Sequence, residues 1–298
     1  MKFTIKLPTN LKKMTVAELL TTEWLVPKKQ RHFLRTKQHI LINGDIAKFS
    51  DLVSGGDQIT VIFDVADFLD KKLILGDRQL GKSLILYEDD HLVIVNKPEN
   101  MKTHGNDTSE IALQNHIAAA CGQIVYVVHR LDFETSGAIL FAKNPFVLPI
   151  LDQMLHDRQI HRTYQALCAG RFTQNKLTIN QAIGTDRHDK KRRMVVSRGG
   201  QRAVTHLHVL KRFAADTLVR CQLETGRTHQ IRVHLSSLGH AILGDTVYRG
   251  RKASRLMLHA KHLELSQPFT KEKIRVTAVS ESFERVMRKK LGQKSSIS

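Results

Sequence analysis

The sequence predicts an α+β protein: a mixed, largely antiparallel sheet with inserted helices, preceded by a small N-terminal α+β domain. Three observations predict it. Residues 83 to 280 are rich in short apolar, β-branched runs separated by turn residues, with few helical stretches. Those strands and helices do not alternate regularly, which argues against a doubly wound parallel sheet. Residues 1–65 carry helix and hairpin signals of their own, and the composition shifts after them. A chain of 298 residues is long enough for one large domain plus a small one. The expected division is 1–65, a linker over 66–82, and a large domain over 83–298.

Thr15-Val16-Ala17-Glu18 fits a capping box opening a short helix through Leu19 and Leu20. Pro27 suits the start of a second helix, whose Phe33 and Leu34 face inward while Lys28, Lys29, Arg31, Arg35 and Lys37 face solvent. Asn43-Gly44 between apolar residues signals a hairpin, because a type I′ turn needs two positive φ angles. Gly55-Gly56-Asp57 leads into a strand over Gln58–Phe63. Two basic helices on a small hairpin sheet resemble the S4 RNA-binding domain over residues 11–63. The plain alternative is a small α+β unit whose charges are merely solvated; the crowding of cations on one helix favours RNA. Residues 66–82 lack a sustained period and read as linker.

In the larger part, Leu84–Tyr87 and Leu92–Asn96 make a hairpin, which Lys97-Pro98 ends, since proline cannot donate to a ladder. Residues 99–109 form a polar loop and 110–120 a short helix ending near Gly122. The runs Ile124–Val128 and Ala138–Ala142 read as buried strands around a polar insert, His129 to Gly137. Asn144-Pro145 supplies an N-cap and first position for a helix to about Arg158. Strands follow at Thr163–Ala169, Ala203–Phe213 and Thr217–Glu224. Thr228 is the expected cap of a helix that Gly239 ends, with Ile231, Leu235 and Leu238 as its buried stripe. Met257–Ala260 and Lys273–Val279 read as closing strands, Ser280–Leu291 as an amphipathic basic helix and 292–298 as a polar tail.

The formal charge is +19, from 47 basic against 28 acidic residues, in a chain that is 41% hydrophobic. A folded chain this basic is drawn to polyanions, nucleic acid first. No stretch approaches the roughly 20 apolar residues that span a bilayer, and the N-terminus has no signal-peptide pattern. Cys121, Cys168 and Cys221 are far apart and in or beside apolar runs, which suggests reduced thiols in a cytoplasmic protein. No Cys/His cluster has zinc spacing, so no metal site is expected. Five of the seven residues from Arg187 to Arg193 are Lys or Arg, either a solvated loop or a clamp on phosphates.

The insert between the two buried runs is more polar than a connection needs. It holds Asp132 beside Arg130, where a carboxylate can stay ionised at the edge of a core; the plain alternative is a turn with a surface acid. Further on, Arg227 lies just ahead of an expected helix N-terminus and Gln230 and Arg232 in its first turns, where the dipole favours anions.

His129-Arg130-Leu131-Asp132-Phe133-Glu134-Thr135-Ser136-Gly137 resembles the signature of the RNA pseudouridine synthases, in particular the group of the ribosomal large-subunit synthases A, C and D. Glu88–Pro98 is similar to the family's first segment and Thr225–Leu235 to its third. Gly244-Asp245 with Tyr248, then Leu258-His259-Ala260, are similar to its closing segments. The segments fall in family order, so with the N-terminal unit the resemblance covers nearly the whole chain. It implies isomerisation of uridine to pseudouridine in structured RNA, with no metal or organic cofactor. Ribosomal RNA of the large subunit (23S) is the favoured substrate. Transfer RNA is the alternative, and a non-catalytic RNA-binding assembly factor on the same fold is a further one.

By motif, Asp132 matches the essential aspartate, which attacks the sugar or the base or removes a sugar proton. Arg232 matches its arginine partner, expected to orient it bidentately. Tyr164 matches the tyrosine that stacks on the base and helps remove the C5 proton. Arg130 matches a residue that holds or displaces the target nucleotide. The remaining candidate RNA contacts are His129, Thr135, Arg227, His229, Gln230, Lys97 and His104, the basic run Lys190, Lys191, Arg192 and Arg193, and Lys28, Lys29, Arg31 and Arg35 on the N-terminal helix. A third, weaker reading, a phosphate-handling hydrolase using Arg227, His229 and His234, lacks a Walker-type loop. One departure stands out: Glu99 and Asn100 occupy places where the family has a small residue and glycine, and Asn tolerates the positive φ such a turn needs. A monomer is the expected state.

Overall fold

The computed structural model of the chain describes residues 1–64, 73–107, 109–187, 189 and 192–292. Most of the expected linker (66–72), Lys190 and Lys191 of the basic run, and residues 293–298 of the tail lie outside the described residues.

Among the described residues, ten strands form one sheet. Its main path runs Lys176–Asn180, Val204–Arg212, Asp216–Leu223, His161–Ala169, Leu258–Ser266, Ser136–Ala142, Leu92–Lys97 and Ile85–Glu88. Lys273–Thr277 pairs with Leu258–Ser266, and Tyr126–Val127 with Ser136–Ala142. Every pairing is antiparallel except Ser136–Ala142 against Leu258–Ser266, which is parallel with Ser136 opposite His259 and Gly137 opposite Ala260. That parallel seam joins two antiparallel halves. The sheet is therefore mixed and largely antiparallel, as expected.

All seven residues of Ser136–Ala142 are buried. Side chains alternate across a strand, so Ala138, Leu140 and Ala142 enter one core, with Leu92 and Ile94. Ile139 and Phe141 enter the other, with Val93, Val95, Leu131 and Tyr164. The first core continues into the N-terminal unit: the Phe3 and Phe63 rings lie 5.5 and 5.2 Å from Phe146, and Trp24 meets Phe269 edge-on at 5.0 Å. The second core is covered by the helices Leu113–Cys121 and Gln230–Ser237.

The N-terminal unit has the elements its sequence announces. The Thr15–Glu18 capping box is complete. Lys28–Thr36 is a helix, with Pro27 one place earlier than expected, as its N-cap. Leu34 is buried and Phe33 half-buried, with Lys29 and Lys37 ammonium groups 5.8 and 5.6 Å from the Phe33 ring. Asn43 and Gly44 take φ of 52° and 101°, the two positive angles of the expected turn. The strand Lys2–Lys6, paired with Gln58–Ile62, was not expected.

Three local features differ from the expectation, the last of them at the site. Arg78–Ser83 is a helix, capped by Asp77 and packed on Leu113–Cys121, where the sequence suggested aperiodic chain. Its six residues are too few to show a helical period. Lys176–Asn180 adds an edge strand. Thr228 does not cap the helix after it: His229 takes that place at φ 57°, with no side-chain cap bond. The Gln230 side chain closes the turn from within, its Oε1 accepting the Arg227 N–H at 3.0 Å and the Thr225 hydroxyl at 2.8 Å.

Candidate active site

The loop carrying Asp132 meets the sheet at the parallel seam, and its backbone is pinned from several sides. Thr103 Oγ1 donates to the Leu131 carbonyl at 3.2 Å. Lys97 Nζ donates to the Phe133 carbonyl at 3.1 Å and to those of Pro98 and Met101 at 3.0 and 2.7 Å. Arg255 donates to Ser136 Oγ at 2.8 Å, and Ser136 Oγ lies 2.8 Å from His259 Nδ1. The His259 Nε2–H points at the Ala278 carbonyl, 3.1 Å away, so Nδ1 is left to accept from Ser136. Gly137 sits at φ 122°, and a Cβ there would lie 2.2 Å from the Ala260 carbonyl oxygen. Only glycine lets the two strands of the seam come this close.

Asp132 opens onto a cleft of about 580 Å³, lined also by Arg130, Thr135, Tyr164, Arg227, His229 and Arg232. Residues 100 apart in the chain thus meet. Arg232 is 2% exposed and Asp132 20%. Their nearest approach is 3.5 Å, from Nη1 to Oδ2. The bidentate partner expected for Arg232 is a different acid: Nε and Nη2 donate to the two oxygens of fully buried Asp245 at 2.7 and 2.8 Å. Glu134 adds a third carboxylate 3.0 Å from Nη2. Burial works against the Arg232 charge, but the Asp245 bonds and the Asp132 and Glu134 carboxylates outweigh it and raise its pKa further. Arg232 is thus held by Asp245 and presents one remaining edge to Asp132.

Tyr164 is buried on the His161–Ala169 strand, and burial pushes its phenol pKa up. It offers the cleft a neutral aromatic face. His229 Nδ1 lies 2.9 Å from Tyr248 Oη, which also accepts the Arg193 N–H at 3.0 Å. Burial lowers the His229 pKa. The Arg232 and Arg192 guanidinium carbons lie 5.5 and 5.6 Å from the Tyr248 ring. Arg192 and Arg193 thus pack on the residue that contacts His229.

Several expected RNA contacts are buried or lie outside the cleft. Lys97 is 0% exposed, with its three carbonyl bonds and a pKa pushed down by burial to about 7, so it anchors the Asp132 loop from inside and has no face toward RNA. Gln230 is buried with its amide spent on Val204 O and Thr205 Oγ1 and its carbonyl oxygen on the turn. His129 is buried; its Nε2 accepts the Leu140 N–H at 3.3 Å, and burial pushes its pKa down to about 3. Thr135 is buried at the cleft wall. His104 does not line the cleft. Arg130 and Arg227 are exposed at its mouth. Lys28, Lys29 and Arg35 are exposed on a helix whose Gln30 reaches the Pro145 carbonyl at 3.4 Å, and Arg31 bonds Thr21 there.

Sequence reasoning passed over Asp245, Glu134, Arg162 and Tyr248 as site residues. Asp245 and Tyr248 had a signal, since they stand in a segment already noted for its family likeness. Arg162 had one too, two residues before Tyr164 and so on the same strand face. The departure at Glu99-Asn100 is accommodated: Asn100 takes φ 59°, and the Glu99 carboxylate lies 2.8 Å from Arg255 Nη1, on the arginine that also holds Ser136.

Residues 91–237 match the family model described as RNA pseudouridylate synthase, and residues 3–59 match the RluD ribosomal pseudouridine synthase N-terminal domain. Among curated relatives, an uncharacterized RNA pseudouridine synthase of Bacillus subtilis, YhcT, is 40% identical over 247 residues, 80% of each chain. A ribosomal large subunit pseudouridine synthase D of Vibrio cholerae is 35% identical over 290 residues, 87% of this chain and 84% of its own. Among solved structures, human RNA pseudouridylate synthase domain containing 1 aligns with a TM-score of 0.57 at 28% identity, over 66% of this chain and 83% of that one.

Proposed function

The chain belongs to the RNA pseudouridine synthase family, and on that premise we propose that it isomerises a uridine of large-subunit ribosomal RNA in the cleft around Asp132. The observation that carries the site assignment is the meeting of Asp132, Arg232 and Tyr164 in one cleft at the parallel seam. The reaction is balanced within the nucleotide. The N1–C1′ bond breaks, C5 bonds to C1′, the C5 proton leaves to water and N1 takes one up.

In this reading the Asp132 carboxylate acts on the sugar or base of a uridine drawn out of its stack. Arg232, locked on Asp245, supplies a fixed positive edge that keeps Asp132 aimed. The Tyr164 ring receives the extruded base, whose unstacking costs a few kcal/mol; stacking on an aromatic face returns about 1–3 kcal/mol. Arg130, Arg227 and His229 at the mouth, with Arg192 and Arg193 behind them, follow the flanking backbone. Residues 1–65 form an RNA-binding domain that adds affinity through Lys28, Lys29, Arg31 and Arg35, and 83–298 form the catalytic domain, acting as a monomer in the cytoplasm. No helix among the described residues is long and apolar enough to cross a membrane. Relatives named for the ribosomal large subunit support the ribosomal target over transfer RNA.

The test is pseudouridine mapping of total RNA from cells with and without the protein. The reading expects at least one modified site in large-subunit ribosomal RNA to vanish on deletion. Loss confined to transfer RNA would replace the target, and an unchanged map would favour the non-catalytic reading.

A further inference from the structure

Among the described residues, Arg162 is a cation without a counter-ion. It is 8% exposed, on the His161–Ala169 strand, and it lines the cleft with Tyr164. Among the described residues no carboxylate lies within 4 Å of it, its side chain makes no hydrogen bond, and its Nε is buried without a partner. The carboxylates of the cleft are engaged elsewhere or stand off. Asp132 faces Arg232. Glu224 is shared by Arg158, Arg202 and His206 at 2.8, 3.1 and 2.8 Å. Asp152, on the helix wall, is not within reach.

A guanidinium cannot escape the cost of burial by losing its proton. An unpaired buried charge is among the more costly features a fold can keep. The surroundings also make room for it. Gly226 packs against the guanidinium so closely that a Cβ there would lie 3.1 Å from Nη1. The glycine of the Thr225–Arg227 turn thus leaves room beside the guanidinium at the cleft wall.

The missing partner is an anion, and the family's substrate brings one with it. A uridine drawn into the cleft carries its own phosphates. Arg162 and Tyr164 stand two residues apart on one strand face, roughly 7 Å along the strand. We propose that Arg162 is the receptor for a phosphate attached to the target nucleotide, gripping it while the base lies on Tyr164. This rests on the functional reading above and deepens it: the cleft recognises a nucleotide, base and phosphate together. The planar fork matches a phosphate with two parallel N–H···O bonds.

Titrating the full chain with uridine, uridine 5′-monophosphate and uridine 3′-monophosphate measures what the phosphate adds. One of the two monophosphates should bind the wild-type protein at least about tenfold tighter than uridine, a modest value for a desolvated charge pair. Arg162→Gln should erase that increment and leave uridine affinity within about twofold; Arg162→Lys, a point charge without the fork, should keep part of it. The Arg162→Gln thermal midpoint should stay level or rise, since it removes an unpaired charge. An increment absent in the wild type, or unchanged in Arg162→Gln, overturns the proposal. So does a clear drop in midpoint with the increment intact, which would make Arg162 structural. Uridine bound no tighter than cytidine would count against the functional reading alone, because the increment read on cytidine monophosphates still decides the case of Arg162.

Discussion

At the scale of single residues, the site is organised by which acid holds which base. Asp245, not Asp132, takes both forks of Arg232, so the arginine is fixed before any substrate arrives. Asp132 keeps one 3.5 Å contact and one-fifth of its surface open to the cleft. A carboxylate meant to react is better left with lone pairs to spare than saturated by a bidentate partner. The prediction is that Asp245→Asn, isosteric and not part of the cleft lining, costs about 3 kcal/mol of stability and lowers turnover. Urea unfolding and turnover of the same preparation check it; a cost near zero would mean that Asp132 and Glu134 suffice to hold Arg232. The meeting of Asp132, Tyr164 and Arg232 in one cleft was legible by likeness to a family. The placement of Asp245 was not, because no local pattern says which of three acids reaches an arginine across a fold. Lys97 shows the reverse failure. A lysine beside proline at a strand end reads as solvent-facing, yet it is the internal anchor of the Asp132 loop.

At the scale of elements, those with strong local chemistry were the ones read correctly. The Thr15–Glu18 box, the Asn43-Gly44 turn, the buried run Ala138–Ala142 and the Ser280-capped helix Glu281–Lys290 each have a short-range cause. Asn144 does not cap the helix as expected: its Oδ1 accepts the Val147 N–H at 2.9 Å in the preceding turn, and the helix begins only at Leu148, with Val147 as its N-cap. The elements missed are those that depend on a neighbour. Lys2–Lys6 is a strand because Gln58–Ile62 lies beside it. Arg78–Ser83 is a helix against Leu113–Cys121. The helix start at His229 follows from Gln230 folding inward, which Thr228 cannot foretell.

At the scale of the molecule, the class of fold followed from the pattern of strands, while the parallel seam at Ser136 and Gly137, on which the site stands, did not. One long-range pairing among antiparallel ones leaves no mark in either strand's sequence. Whole-molecule stability carries its own pH signature. Burial pushes the pKa of His129 down to about 3 and that of His259 to about 4, from 6.5 in the unfolded chain. Below pH 6.5 the unfolded chain takes up protons that the folded one refuses. The stability these groups contribute is therefore full above pH 6.5 and is lost as pH falls toward 4 and then 3. The expected loss is roughly 3 kcal/mol per histidine by pH 4, read by denaturant unfolding across pH. His129→Gln should flatten that slope by about one proton; an unchanged slope would contradict the burial argument.

The central claim is that the Asp132 carboxylate carries out the isomerisation. It is tested most directly by release of C5 tritium from uridine-labelled RNA taken from cells lacking the protein. The wild-type protein should release it to water, and Asp132→Asn, folded and still binding RNA, should be slower by roughly a thousandfold or more. Release by Asp132→Asn at the wild-type rate would contradict the claim.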